Sequence, residues 1–191
     1  TTNVVTAQDA AVKRTSPASI ERLKAGSLWM DTYNGAGLVL DNLSYYSDLK
    51  FAYGYKNGDY KLNSDGERER AITVSSEGGL KFGGGYIWGS FSYVNEAQRN
   101  TLFNTTMLDF DRRMPYYTVD KNLSDFLKQS YNLAMKVASK PLWNKVILGA
   151  QAEYRTKVGA KQMDPRSETY VYSINVKPSA VVIMGNHRIG I

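Results

Sequence analysis

The stretch "KVILGAQAEYRTKVGA", residues 145–160, decides the fold. Val146, Leu148, Ala150, Ala152 and Tyr154 share one parity, and Gly149, Gln151, Glu153 and Arg155 share the other. Side chains of a strand alternate between two faces, so this is a long strand with one apolar face and one polar face. The same alternation recurs along the chain. "DLKFAYGYK" sets Leu49, Phe51, Tyr53 and Tyr55 against Lys50, Ala52, Gly54 and Lys56. "AITVSSEGGLKF", "YIWGSFSYV", "YNLAMKVAS" and "YVYSINVK" add four more strands, and a seventh begins at Arg188.

The connections carry the next inference. Those after the first, third and fifth strands read as long and polar: residues 57–70, 95–129 and 160–168. Those after the second, fourth and sixth read as short: "GGG", "KPLWN" and "GNH". In an up-and-down meander this alternation collects long loops at one end and tight turns at the other, the asymmetry of outer-membrane β-barrels. Soluble barrels and sandwiches also alternate, but their strands commonly run about 5–6 residues. Several here alternate for about 9–12, the length that crosses a bilayer at a tilt. Gly54, Gly79, Gly149 and Ala134 on the polar parity suit a crowded interior that must fit long side chains.

Composition narrows the chemistry. With no Cys and one His, His187 in a tight turn, a metal centre is not expected, and neither is a cofactor. The formal charge of +6 is scattered, with no basic run of the kind that makes nucleic acid a partner. No apolar run reaches the roughly 18 residues of a membrane helix, so any crossing would be by strands. Two Asp and two Arg cluster in the longest loop, Asp109, Asp111, Arg112 and Arg113; ion pairs that pin the loop are the favoured reading, with a carboxylate or cation site as the alternative. The Gly-rich "EGGLKFGGG" lacks the Gly-Lys-Ser/Thr of a phosphate loop, and its glycines suit bends and a turn. No residue set points to catalysis, and the chain is not expected to be an enzyme.

Four segments together carry a resemblance: "NGAGL" (34–38), "YIWGSFSY" (86–93), "RRMPYYTVD" (112–120) and "GAKQMDPRSETYVYSINVKP" (159–178). Their order and spacing, from about Ser19 onward, resemble the N-terminal part of an outer-membrane β-barrel family of unknown function from Bacteroidota. "NGAGL" is also similar to the Asn-Pro-Ala-Gly segment before the first strand of fatty-acid-transporter-like barrels, with Gly35 where that pattern has Pro. The resemblance implies a Gram-negative outer-membrane location and carries no catalytic residues.

These readings give an all-β, antiparallel up-and-down transmembrane β-barrel, in its N-terminal part, with a short helix before the first strand. Residues 1–45 would be a tail and that helix, which starts near Ser16 and Pro17 and ends at Gly26. Within them, "DTYNGAGLVLDNL" reads as a turn. Residues 46–191 would form six strands and the start of a seventh, the front portion of a larger barrel. The expected function is passage or docking of a small molecule or nutrient across the outer membrane. Thr73, Glu77, Lys81, Gln151, Glu153, Arg155, Asn175 and Lys177 would line the lumen. The expected partner is outer-membrane lipid. The alternatives are a structural barrel whose loops, above all residues 97–128, dock another outer-membrane or surface protein or a polysaccharide, and a soluble ligand-binding β-domain.

Overall fold

The computed structural model describes residues 21–22, 24–41, 43, 45–60, 65–102, 122–164 and 166–191. It is all-β, with one antiparallel sheet of seven strands in sequence order: β1 (Tyr46–Asn57), β2 (Arg68–Phe82), β3 (Gly85–Thr101), β4 (Ser124–Ala138), β5 (Val146–Lys161), β6 (Glu168–Met184) and β7 (His187–Gly190). The sheet is not closed: β1 and β7 are its two edges. Helical residues before Gly26 match the expected short helix at its C-terminal end, where the Gly26 amide donates to the Arg22 carbonyl at 3.0 Å. The expected helix start lies outside the described residues.

Several boundaries differ from the sequence reading. Residues 34–41 were expected as a turn, but Gly35–Asp41 form a 3-10 helix laid against the sheet. His187 opens β7 opposite Met184 rather than ending in the turn. The long connections are shorter than expected, because β2 starts at Arg68, β3 runs to Thr101 and β4 starts at Ser124. The expected 97–128 loop is therefore strand at both ends. Polar pairs extend these ladders where the apolar alternation stops: Glu96 faces Lys128, and Gln98 Nε2 donates to Glu69 Oε1 at 3.1 Å. Long and short connections do not alternate without exception, since the 139–145 connection is no shorter than 162–167. Two left-handed residues, Trp143 (φ 51) and Asn144 (φ 54), fold the former back into a bridge between Leu142 and Val146.

β6 passes through Pro178, where the sequence reading ended it. Ala180 N donates across to Ile191 at the last β7 bond, and Pro178, two residues back, directs its missing N–H to the same side beyond that bond. The sheet loses no ladder hydrogen bond there. The β2–β3 hairpin turns on Gly83 and Gly84, at φ 59 and 83, left-handed values that glycine adopts without a Cβ clash.

Directly opposed residues share a face, so the register sorts the side chains. The polar parity carries the N-terminal segment and is called the inner face; the apolar parity is the outer face. At the turn end the inner parity changes character. Tyr86, Ala138, Ile147 and Val181 are buried there beneath Met30, Ala36 and Leu38, making a protein core on the face that elsewhere is polar.

Candidate functional site

The inner face holds two things: a docked N-terminal segment and a groove. The segment is stapled to itself by Asp41, whose carboxylate accepts from Ser27 Oγ at 2.5 Å, Leu28 N at 3.0 Å and Trp29 N at 2.9 Å. Small residues then let it lie flat on the wall. A methyl on Gly149 would collide with the backbone of Ala36, and one on Gly35 would sit 2.6 Å from the Ala150 carbonyl. The small residues of the polar parity therefore make room partly for main chain, not only for long side chains. Ala36 N donates to Ser179 Oγ at 3.1 Å, and Asn34 Nδ2 spans the Ala180 and Ile191 carbonyls at 3.2 and 3.1 Å.

Lys136 is the strongest polar tie. It is 5% exposed, and its ammonium donates to the Met30 carbonyl and, at 2.7 Å, to that of Thr32. The same ammonium lies 5.5 Å from the Trp88 ring centre. Glu77 holds the start of the segment through Lys24 at 2.6 Å. It also accepts from Tyr46 Oη at 2.8 Å and from Trp88 Nε1 at 3.2 Å. Sequence reading gave Lys136 and Asp41 no site role, and it suggested Trp88 for an interfacial aromatic girdle, whereas its ring lies on the inner face beside Glu77. A basic residue flanked by Ala134 and Ala138 on the inner parity is the signal that marked Lys136.

Beyond the segment, a groove of about 530 Å³ runs over β1 to β5. Hydroxyl and amide groups of Ser75, Ser90, Ser92 and Asn132 line it, and Asn132 Nδ2 donates to Ser92 Oγ at 3.2 Å. Its charges come in opposite pairs, Lys50 with Asp48 at 3.1 Å and Arg155 with Glu153 at 3.4 Å. Such a lining offers donors and acceptors with little net charge, which suits a neutral polar or zwitterionic solute.

All eight expected lumen residues lie on the inner face, but they are not gathered at one place. Glu77, Glu153 and Arg155 line the groove. Gln151 is buried at 4% exposure, donates to Glu153, and keeps its Oε1 buried without a partner. Lys177 places its ammonium 3.5 Å over the Tyr33 ring, so it serves the docked segment. Asn175 stands opposite Glu153, and Thr73 stands between Ala52 and Val94. Lys81 is exposed beside the β2–β3 turn. Asp109, Asp111, Arg112 and Arg113 lie outside the described residues.

The outer face is apolar and, among the described residues, uncovered, as in the row Leu49, Phe91, Leu133, Tyr154 and Ile174 across β1 and β3 to β6. Next toward the long connections comes a row with Tyr93, Tyr131 and Tyr172, and then one with Tyr53 and Tyr170. Tyr93 and Tyr131 stack at 4.7 Å between ring centres. Among the described residues no helix is long and apolar enough to cross a membrane.

No curated protein and no solved structure matches the chain. A family model does match, over residues 35–191, from the first residue of the 3-10 helix through all seven strands. The chain belongs to that family, a family of unknown function designated DUF6850.

Proposed function

We propose that the chain is the wall of an outer-membrane β-barrel that docks or passes a small polar molecule or nutrient, without chemistry of its own. The observation that carries this reading is the uncovered outer face. Leu49, Phe51, Ile174 and Val176 are 73, 71, 66 and 66% exposed on the parity that is apolar along strand after strand. Apolar surface of that extent requires an apolar medium, and lipid supplies it. The outward band of β2 from Ile72 to Phe82 has the length, about 9–11 residues, that a tilted strand needs to cross the hydrocarbon. Tyrosine rows at its long-connection end suit the membrane interface. The groove, with paired charges and hydroxyls, would be the solute path.

A second reading has its own support. The docked segment covers the inner face of β3 to β6 at the turn end, which favours docking at the open side over unobstructed passage. Flotation of the full chain with phosphatidylcholine vesicles tests the membrane placement: recovery as a folded monomer without detergent or lipid would refute it and favour a soluble β-domain. Planar-bilayer conductance then separates passage from docking, and absence of current from the folded, inserted protein would refute open passage.

A further inference from the structure

Just beyond the tyrosine rows, the outer face of β2 and β3 carries three arginines together. Arg68 stands directly opposite Arg99, and Arg70 lies two residues along β2, opposite Ala97, so all three share the outer face. Each is exposed. Directly opposed Cβ atoms lie about 4.5–5.5 Å apart and diagonal neighbours about 7–8 Å, which brings three guanidinium groups within reach of one anionic group. Like charges directly opposed destabilise a sheet unless a counter-charge joins them.

Among the described residues, the neighbouring acids are committed elsewhere. Glu69 pairs on the inner face with Lys56 at 3.8 Å and accepts from Gln98. Glu96, also on the inner face, accepts from Gln98 Nε2 at 2.6 Å. At the strand ends Glu67 and Asp125 both accept from Asn100, at 2.8 and 3.3 Å. Asn100 itself sits in the register shift between Gln98 and Thr101, at φ 51, a bulge that leaves Arg99 outside the regular β3–β4 ladder. Among the described residues, none of the three guanidinium groups has a hydrogen-bond or ion-pair partner.

Tyr55 stands directly opposite Arg70, Ile72 lies one row below on β2, and beside Ile72 is Tyr53, all exposed and apolar-bodied. A ligand that satisfies both halves of this surface carries a phosphate at one end and acyl chains at the other. We propose that Arg68, Arg70 and Arg99 bind the phosphate of an anionic lipid whose chains lie along the outer faces of β1, β2 and β3. Arginine forks match phosphate oxygens bidentately, and basic clusters at the edge of an apolar band attract anionic lipid. This inference rests on the membrane reading above.

The experiment titrates fluorescent phosphatidic acid into the full chain in neutral maltoside micelles, with phosphatidylcholine as the comparison lipid. The wild type is expected to prefer phosphatidic acid, and the preference should fall about fivefold for each of R68Q, R70Q and R99Q. R188Q, an exposed arginine at the opposite end of the sheet, should leave it intact. A triple variant that floats with phosphatidylcholine vesicles yet keeps the full preference would overturn the site and leave the membrane reading standing. Failure of the wild type to float would overturn both. Displacement by inorganic phosphate as effective as by phosphatidic acid would overturn the lipid assignment in favour of a free-anion site.

Discussion

Replacing Lys136 with methionine should release the docked segment while leaving the sheet intact. The side chain is 5% exposed and its ammonium serves two main-chain carbonyls, those of Met30 and Thr32. Two charge-assisted hydrogen bonds contribute about 1.5–3 kcal/mol each. Removing the ammonium also removes its burial penalty, an offset of several kcal/mol. Methionine nearly conserves the volume, so little is added for a cavity. What remains is the buried Met30 carbonyl without this donor, at about 1–3 kcal/mol, and the part-buried Thr32 carbonyl, at about 1 kcal/mol because water reaches it, a net loss of about 2–4 kcal/mol for the docked state. At about 1.4 kcal/mol per factor of ten, the opened population rises on the order of 30- to 1,000-fold. Amide hydrogen exchange of the full chain, read by mass spectrometry on peptides within residues 27–41, measures that opening. Lys136→Arg, which keeps the donors, should change it far less. Unchanged exchange of 27–41 in Lys136→Met would refute the claim that this ammonium holds the segment.

Other consequences follow from the same face assignments. Gly149→Val drives a side chain into the Ala36 backbone and should cost about 1–3 kcal/mol, seen as a lower urea midpoint in micelles. Gly89→Val, whose Cβ would meet only the Ala134 carbonyl at 3.8 Å on the outer face, should cost about 0.5 kcal/mol or less. In a cysteine scan of residues 146–155, a lipid-soluble reagent should label the even positions, Val146 through Tyr154. Equal labelling of odd positions such as Gly149 and Gln151 would refute the outer-face assignment. Asp41→Ala removes the acceptor shared by Ser27, Leu28 and Trp29 and should weaken that turn by about 2 kcal/mol. Faster amide exchange at 27–30, with the strands unchanged, is the expected readout.

The strands were legible because period-two alternation is a local property. Val146 to Tyr154 against Gly149 to Arg155 fixes which side chains share a face without any knowledge of neighbours. The strand ends were less legible, since Glu96 opposite Lys128 stabilises the ladder only after β3 and β4 have met. The segment at 34–41 was misread for a related reason. Its Gly35, Ala36 and Gly37 carry turn-like composition, and their smallness is explained by the Gly149 wall, a contact formed across more than a hundred residues, and by the nearby Trp29 ring against Gly37. The eight residues expected to line a lumen share one face of the sheet because parity is enough for that. Their separate duties were hidden, because only tertiary placement puts Lys177 over Tyr33 and leaves Glu153 and Arg155 in the groove.

Glu77 stands where the two uses of the inner face meet. It holds Lys24 of the segment and also lines the groove. Each of its oxygens is engaged by the protein itself, Oε2 by Lys24 and Oε1 by Tyr46 and Trp88. A solute in the groove therefore competes for this carboxylate with Lys24 and two aromatic donors. A cationic solute would compete directly with Lys24, and by reciprocity, tighter docking of the segment would weaken its binding. A neutral polyol would instead find hydroxyls such as those of Ser75 and Ser90 in the groove and leave the segment in place. Near the segment the inner face satisfies its own acid, and within the proposed function that arrangement supports an uncharged, hydroxyl-rich solute over a cation.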